Sequence, residues 1–269
     1  MEQRIILITG STDGIGKAAA LEAARRGLSV IVHGRHPERV AATQGEIKNA
    51  TGTEPMGETA DLSSLNDVRR MAERLNRKLS RLDVLVNNAG VISRTRKLSR
   101  DGYELTFAVN HLAHFLLTTL LLDILKRSAP SRVVTVSSMV HRGARIDFDD
   151  LMAEESYDGY TAYEQSKLAN VLFTTSLADM LSDTGVTAVA LHPGVIKTKV
   201  LHEYFSGGAP TTQGAKNVLR PALDPEFAKM TGTYFSAGRP EEPDPAGTDR
   251  ETAHRLWDVS QRLCDAVSA

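Results

Sequence analysis

Arg4-Ile5-Ile6-Leu7-Ile8-Thr9, followed by Gly10-Ser11-Thr12-Asp13-Gly14-Ile15-Gly16, decides how the rest of the chain is read. A short unbroken apolar run marks a strand buried on both faces of a parallel sheet. Beyond the glycines, Lys17 to Arg26 carries the alanine-rich pattern of a helix. Strand, glycine loop and helix together make a nucleotide-binding unit. The glycines permit a tight turn and let backbone N–H groups approach a pyrophosphate, which sits at the positive end of the helix. The spacing is Gly-x-x-x-Gly-x-Gly rather than Gly-x-Gly-x-x-Gly, and a glycine turn alone also occurs in α/β proteins that bind no nucleotide. Asp13 puts a carboxylate beside the expected phosphate, so it must point away or bond a ribose hydroxyl or a backbone N–H.

A second strand, Ser29 to His33, runs into Gly34-Arg35. In this arrangement an acid about 20 residues beyond the glycine loop holds the adenosine ribose 2′-hydroxyl. Arg35 stands 19 residues after Gly16, and neither His33 nor Gly34 is acidic. A guanidinium there pairs with a 2′-phosphate, which favours NADP over NAD; the alternative is a solvated surface arginine.

Further along, Pro37 to Thr51 reads as a helix with proline in its first turn, and a third strand is expected near Met56 to Glu58. Asp61-Leu62 falls at its end, where a loop covers an adenine. Ser63-Ser64 caps a helix with apolar residues at Leu65, Val68, Met71, Ala72 and Leu75. Val84-Leu85-Val86 is a fourth strand, and Asn87-Asn88-Ala89-Gly90 supplies small residues at its carboxyl end, where a cofactor lies against the sheet. Leu105, Val109, Leu112, Leu116 and Leu120 mark a long buried helix. Within it Asn110, a mediocre helix former, is either a partner for a structural water or a functional group. A fifth strand, Val133 to Ser137, leads to Ser138, and a sixth, Thr187 to Leu191, to His192-Pro193-Gly194 and Thr198. Asp147, Asp149 and Asp150 have no histidine at ligand spacing and read as a solvated loop rather than a metal site. Leu201 to Pro225 is mixed, as expected of a substrate loop at about 199–225. Gly232 to Phe235 is a last strand, and Thr248 caps a final helix through Leu256, Trp257 and Leu263.

Between the fifth and sixth strands stands Tyr163-Glu164-Gln165-Ser166-Lys167. On a helix, residues four apart share one face. A free phenol has a pKa of about 10, and a nearby ammonium lowers it, making Tyr163 a candidate proton donor and acceptor. The same spacing also arises by chance, with tyrosine packed and lysine solvated.

The 269 residues, 41% hydrophobic and 24% charged, suit one large α/β domain spanning 1–269. A net charge of −1 without a basic block excludes nucleic acid as an evident partner. The single cysteine, Cys264, permits no intrachain disulfide and no multi-cysteine metal site, which suits a reducing compartment. Ile5 to Ile8 is too short for a signal peptide, and the apolar stretch around Leu112 to Leu125 contains His114 and Asp123 and falls short of a bilayer span. A cytoplasmic location is expected.

In their order, Thr9-Gly10-x-x-x-Gly14-Ile15-Gly16, Asn87-Asn88-Ala89-Gly90, Asn110, Ser138, Tyr163-x-x-x-Lys167 and Pro193-Gly194 resemble the short-chain dehydrogenase/reductase family. Within it, Asn110 to Phe115, Val136-Ser137-Ser138, Tyr163 to Asn170, Tyr234-Phe235 and Leu256-Trp257 are similar to the retinol-dehydrogenase-like branch. So is the gap of 25 residues from Ser138 to Tyr163. The resemblance implies a Rossmann-type doubly wound, mostly parallel sheet of seven strands with helices on both faces. It also implies roles. Tyr163 is the general acid in reduction and the base in oxidation, and Ser138 hydrogen-bonds the reacting oxygen. Lys167 holds the nicotinamide ribose and lowers the tyrosine pKa, and Asn110 holds a water that links Lys167 to solvent. Gly10, Ser11, Thr12, Asp13, Gly14, Ile15 and Gly16 cradle the pyrophosphate, and Asp61 and Leu62 flank the adenine. Asn88, Ala89 and Gly90 line the adenosine ribose, Ile196 and Thr198 anchor the nicotinamide carboxamide, and Gly194 is a further cofactor-binding residue. The chain opens without the hydrophobic anchor of many membrane-bound retinol dehydrogenases, which argues against retinoid as substrate. The branch's protochlorophyllide photoenzyme uses cysteines in its catalytic region, and this chain has none there. The activity expected is NADP(H)-dependent hydride transfer to or from a carbonyl or alcohol of a fairly apolar small molecule, with Leu201, Tyr204 and Phe205 shaping the pocket. The alternative is a catalytically silent NADP(H)-binding regulator, in which the Asn110, Ser138, Tyr163 and Lys167 set would have no purpose. A homodimer or homotetramer is implied by the resemblance alone.

Overall fold

The apolar runs assemble into one sheet of eight strands in the order β3-β2-β1-β4-β5-β6-β7-β8. The structure is a computed structural model and describes residues 3–199, 203–204 and 206–267. In chain order the elements are β1 (Ile5–Ile8), α1 (Gly14–Arg25), β2 (Ser29–Gly34), α2 (Pro37–Thr51), β3 (Met56–Thr59), α3 (Leu65–Lys78) and β4 (Val84–Asn87). Next comes α4, in three consecutive pieces: α-helical Leu105–Phe107, π-helical Ala108–Leu112 and α-helical Ala113–Leu120. There follow α5 (Leu122–Arg127), β5 (Ser131–Val136), α6 (Gly159–Met180), β6 (Val186–His192), α7 (Thr211–Leu223), β7 (Thr233–Ser236), β8 (Arg239–Pro240) and α8 (Arg250–Asp265).

Strands β1 to β7 pair in parallel, so helices must cross between them and both faces are covered. Alternation sorts the strand side chains. Leu7, Ile31, Leu85 and Val133 pack with α3, α4 and α6, whereas Ile6, Ile8, Val32, Val86 and Val134 pack with α1, α2 and α7. Each such side chain, fully removed from water, contributes roughly 2 kcal/mol. The chain winds outward from β1 to β3 and then restarts at β4 on the other side of β1. That reversal opens a crevice over the carboxyl ends of β1 and β4, where ligands of such sheets bind.

Three readings from the sequence are corrected. The sheet has an eighth strand: Arg239–Pro240 pairs antiparallel with β7, and two residues are too few for any periodicity to announce them. The range expected as a substrate loop contains α7, whose Ala215, Val218, Leu219 and Ala222 recur at helical spacing and pack on α1, a pattern masked by Gly214 and Pro221. The last helix is capped by Asp249, whose side chain accepts from the Glu251 N–H, and not by Thr248. Leu201 and Phe205 lie outside the described residues. Among the described residues no helix is long and apolar enough to cross a membrane, and no cluster of His, Cys, Asp and Glu is placed to hold a metal.

Candidate active site

The glycine loop is held from behind by β2. Ser11 N–H donates to His33 O at 2.9 Å, His33 N–H donates to Ser11 Oγ at 2.9 Å, and Gly10 N–H donates to His33 Nδ1 at 3.1 Å. Because Nδ1 accepts, Nε2 carries the ring proton and donates to Ala60 O at 3.2 Å. Burial pulls the His33 pKa down to about 4, so the ring is neutral in this role. Gly10 has φ +65°, and a Cβ there would lie 2.9 Å from Ala89 Cα. A Cβ on Gly16 would overlap Gly10 O and lie 2.5 Å from Asn88 Nδ2. Only glycine lets the first turn of α1 dock this tightly against the ends of β1 and β4. Asp13 resolves the question its charge raised. It is the N-cap of α1, with Oδ1 accepting the Gly14 N–H at 2.8 Å, and its Oδ2 pairs with Arg39 at 3.0 Å and Lys199 at 2.7 Å. The Lys199 hydrogen bond is the largest influence holding its pKa down, at about 2.

One cleft of about 1350 Å³ runs along the crevice. Of the residues singled out from the sequence as site residues, Ser11 and Asn110 do not line it. Ser11 is spent on His33, and Asn110 is fully buried in the π-turn. The others do line it: Gly10, Thr12, Asp13, Gly14, Ile15 and Gly16 of the glycine loop, Arg35 beyond β2, Asp61 and Leu62 beyond β3, Asn88, Ala89 and Gly90 beyond β4, Ser138 beyond β5, Tyr163 and Lys167 on α6, and Gly194, Ile196 and Thr198 beyond β6. At the β2 end Arg35 Nε donates to His36 Nε2 at 3.1 Å, and Arg39, one helical turn on, lines the same stretch. Asp61 Oδ1 accepts from both the N–H and the hydroxyl of Ser63, which fixes the Asp61-Leu62 turn.

At the other end α6 begins with Asp158 as N-cap, its carboxylate accepting the Thr161 N–H at 2.7 Å. One turn later Tyr163 is half-buried and lines the cleft together with Ser138. Lys167 is 3% exposed; its Nζ donates to Val136 O at 3.0 Å and lies 5.4 Å from the centre of the Tyr163 ring. Burial pushes the Tyr163 phenol above its ordinary pKa of 10, against the opposing influence of the Ser138 hydroxyl. This direction is opposite to the lowering expected from Lys167. Desolvation of both groups outweighs their proximity, and burial brings Lys167 itself down from 10.5 to about 8. Ser138 is held from behind by His141, whose Nδ1–H donates to Ser138 O at 2.7 Å while Nε2 accepts the Asp244 N–H at 3.0 Å. Gly90 leaves room in front of Lys167: a Cβ there would still clear Lys167 Nζ by 3.6 Å.

Several cleft residues escaped the sequence reading. Arg39 had a signal, since it sits four residues after Arg35 on a helix opened by Pro37. Lys199 had none, because its link to Asp13 spans 186 positions. Met139 and Val195 line the cleft beside Ser138 and Gly194, and both remain about half exposed, as an apolar rim. Tyr204, expected from the sequence to shape the pocket, does line it, its ring 5.6 Å from that of Tyr160.

The cleft fits a dinucleotide. Among the described residues the N–H groups of Ile15 and Gly16 in the first turn of α1 have no partner, so they face the cleft as anion donors. The short chain dehydrogenase family model matches residues 4–208. Retinol dehydrogenase 14 of Mus musculus is 39% identical over 286 residues, covering 97% of this chain and 86% of the relative. Retinol dehydrogenase 13 of Homo sapiens is 41% identical over 278 residues, covering 97% and 84%. Among solved structures, an uncharacterized protein from Mycobacterium Paratuberculosis superposes with a TM-score of 0.82 at 34% identity, covering 98% of this chain and 94% of that one. A short chain dehydrogenase from Shigella flexneri 2a str. 301, complexed with NADP, superposes with a TM-score of 0.73 at 26% identity, covering 88% and 98%.

Proposed function

We propose that this chain, which belongs to the short-chain dehydrogenase family in its retinol-dehydrogenase-like branch, is an NADP(H)-dependent reductase of apolar aldehydes or ketones, running in reverse as an alcohol dehydrogenase. The family's oxidoreductases act on CH–OH groups with a nicotinamide cofactor, and the finer reading rests on one observation above all. The Tyr163 phenol lies under the influence of the Ser138 hydroxyl and beside buried Lys167, at the end of a cleft whose far end carries two arginines and no acid in the ribose position.

When bound, the nicotinamide supplies or takes the hydride. The protein's residues do the rest. Arg35 and Arg39 would pair with a 2′-phosphate, and the first-turn N–H groups of α1 would hold the pyrophosphate. Asp61, Leu62, Asn88, Ala89 and Gly90 would line the adenosine half, and Gly194, Ile196 and Thr198 the carboxamide. A carbonyl oxygen bonded to Ser138 and Tyr163 takes the phenolic proton as charge develops on it. Burial favours this direction, because it keeps Tyr163 a neutral phenol, the form that donates. Lys167, at about 8, is mostly charged at neutral pH and stabilises the phenolate left behind. Met139, Val195 and Tyr204 favour an apolar substrate body. A panel of aliphatic and aromatic aldehydes with NADPH tests the reading: turnover of apolar members is expected. Tight NADPH binding without turnover of any would instead favour a silent binder.

We also infer a homodimer or homotetramer, supported by the family resemblance, which a monomer mass in sedimentation would refute. A cytoplasmic location is proposed on the unpaired, buried thiol of Cys264.

A further inference from the structure

Behind the cleft wall runs a chain of buried hydrogen bonds whose middle member, His114, has no role in the reaction proposed above. His114 is 1% exposed, and Thr9, Asn110 and Ser166 are each 0% exposed. His114 Nδ1 lies 3.1 Å from Asn110 O, and Nε2 lies 3.0 Å from Thr9 Oγ1. A carbonyl only accepts, so Nδ1 carries the proton and Nε2 must accept from the Thr9 hydroxyl. Burial is the main cause that brings the His114 pKa down to about 3, with Lys167 adding to it, so the ring stays neutral.

Each end of the ring reaches a different part of the site. On one side, Thr9 Oγ1 accepts the N–H groups of Asn88 at 2.9 Å and Ala89 at 3.0 Å, orienting the loop along the cofactor cleft. Its hydroxyl proton has one other acceptor, Val86 O at 3.3 Å, which already accepts the Thr9 N–H at 3.0 Å. Without Nε2 the hydroxyl turns to Val86 and its lone pairs swing away from Asn88 and Ala89. On the other side, the π-turn widens α4 so that the Ala113 N–H reaches Ala108 O, and the His114 ring secures Asn110 O within it. Asn110 then grips Val91 at both ends, Oδ1 accepting its N–H at 2.8 Å and Nδ2 donating to its carbonyl at 2.9 Å. Asn110 Nδ2 also donates to Ser166 Oγ at 3.0 Å, and Ser166 donates to Tyr163 O at 2.7 Å.

We propose that His114 is a positioning residue that ties the cofactor-lining Asn88-Ala89 loop to the π-turn at Asn110 and, through Ser166, to the turn of α6 that presents Tyr163. The part of this that concerns turnover rests on the proposed role of Tyr163; the part that concerns the cofactor loop does not.

The two ring nitrogens can be severed one at a time. In His114→Asn the amide N–H replaces Nδ1–H toward Asn110 O, and Thr9 loses its acceptor. In His114→Gln the amide oxygen replaces Nε2 toward Thr9, and Asn110 O loses its donor. For the asparagine variant the expected result is an NADPH Kd raised about tenfold with kcat for decanal reduction within about threefold of wild type. For the glutamine variant it is an unchanged NADPH Kd, a kcat lowered about tenfold and faster amide hydrogen exchange across 159–167. Thr9→Val should raise the NADPH Kd at least as much as His114→Asn, and adding His114→Asn to it should change nothing further. Parallel shifts of Kd and exchange in the two histidine variants, or additive effects with Thr9→Val, would overturn the proposal. Binding and exchange are read without turnover, so they remain decisive even if Tyr163→Phe were to retain full activity, an outcome that would sink the functional reading alone.

Discussion

Replacing Lys167 by methionine should make the protein more stable at neutral pH while abolishing its turnover. Lys167 is 3% exposed, and among the described residues its ammonium has no carboxylate partner and donates to one carbonyl, Val136 O. Burial brings its pKa from 10.5 to about 8. At about 1.4 kcal/mol for each tenfold change, holding the charged lysine in the fold costs roughly 3 kcal/mol at pH 7. The sign follows from proton counting. Between pH 8 and 10.5 the unfolded chain binds the proton that the folded chain has released, so stability rises with pH through that window. Below pH 8 both states are protonated and the cost is constant. Methionine removes the charge, keeps most of the volume and forfeits one hydrogen bond of about 1 kcal/mol. The net expectation is a gain of about 2 kcal/mol at pH 7, shrinking to near zero by about pH 9.5. Urea unfolding of both proteins at the two pH values measures it. A methionine variant less stable than wild type at pH 7, or an advantage that does not shrink with pH, would refute the burial argument.

Arg35→Ala should weaken NADPH binding about tenfold to a hundredfold and leave NADH binding within about twofold, since only the former carries the 2′-phosphate; equal weakening in a fluorescence titration contradicts the assignment. Arg39→Ala should show the same preference with a smaller loss, because Asp13 already pairs with its guanidinium. Gly16→Ala should cost more than about 2 kcal/mol by thermal unfolding, as its Cβ overlaps the backbone Gly10 O and Asn88 Nδ2, which is held by its bond to Thr9 O. Gly45→Ala is the opposite case: it sits inside α2 with nothing within 4 Å of the added Cβ and should stabilise by roughly 0.5–1 kcal/mol.

Local chemistry written in the chain proved readable where a residue's role depends on its near neighbours. Ile5 to Gly16, the four-residue spacing of Tyr163 and Lys167, the Ser64 cap and the Pro37 start of α2 all act within one turn or one strand. The parallel sheet was legible too, because unbroken apolar strand runs alternate with helical patterns along the chain. What escaped depends on distance or burial. The periodicity of Leu105, Val109, Leu112 and Leu116 runs straight through the π-turn and gives no sign of the widened turn at Asn110. Nothing near Asp13 in sequence points to Lys199. Ser11 looked like a phosphate ligand because it stands within the glycine loop, yet the strand beside it takes both its N–H and its hydroxyl. The direction of the Tyr163 pKa was the subtlest. Proximity of an ammonium is legible in spacing, but the competing desolvation exists only once α6 has closed against β5.

The central claim is that Tyr163 delivers the proton that accompanies hydride transfer in the cleft. Its most direct test is a paired measurement on Tyr163→Phe: NADPH Kd by fluorescence titration, and kcat for an aldehyde that the wild type reduces. The phenylalanine keeps the ring and loses only the hydroxyl that faces the cleft with Ser138. The expected result is an NADPH Kd within about threefold of wild type and a kcat lowered by at least about a hundredfold. A phenylalanine variant that reduces the aldehyde as fast as wild type would contradict the account.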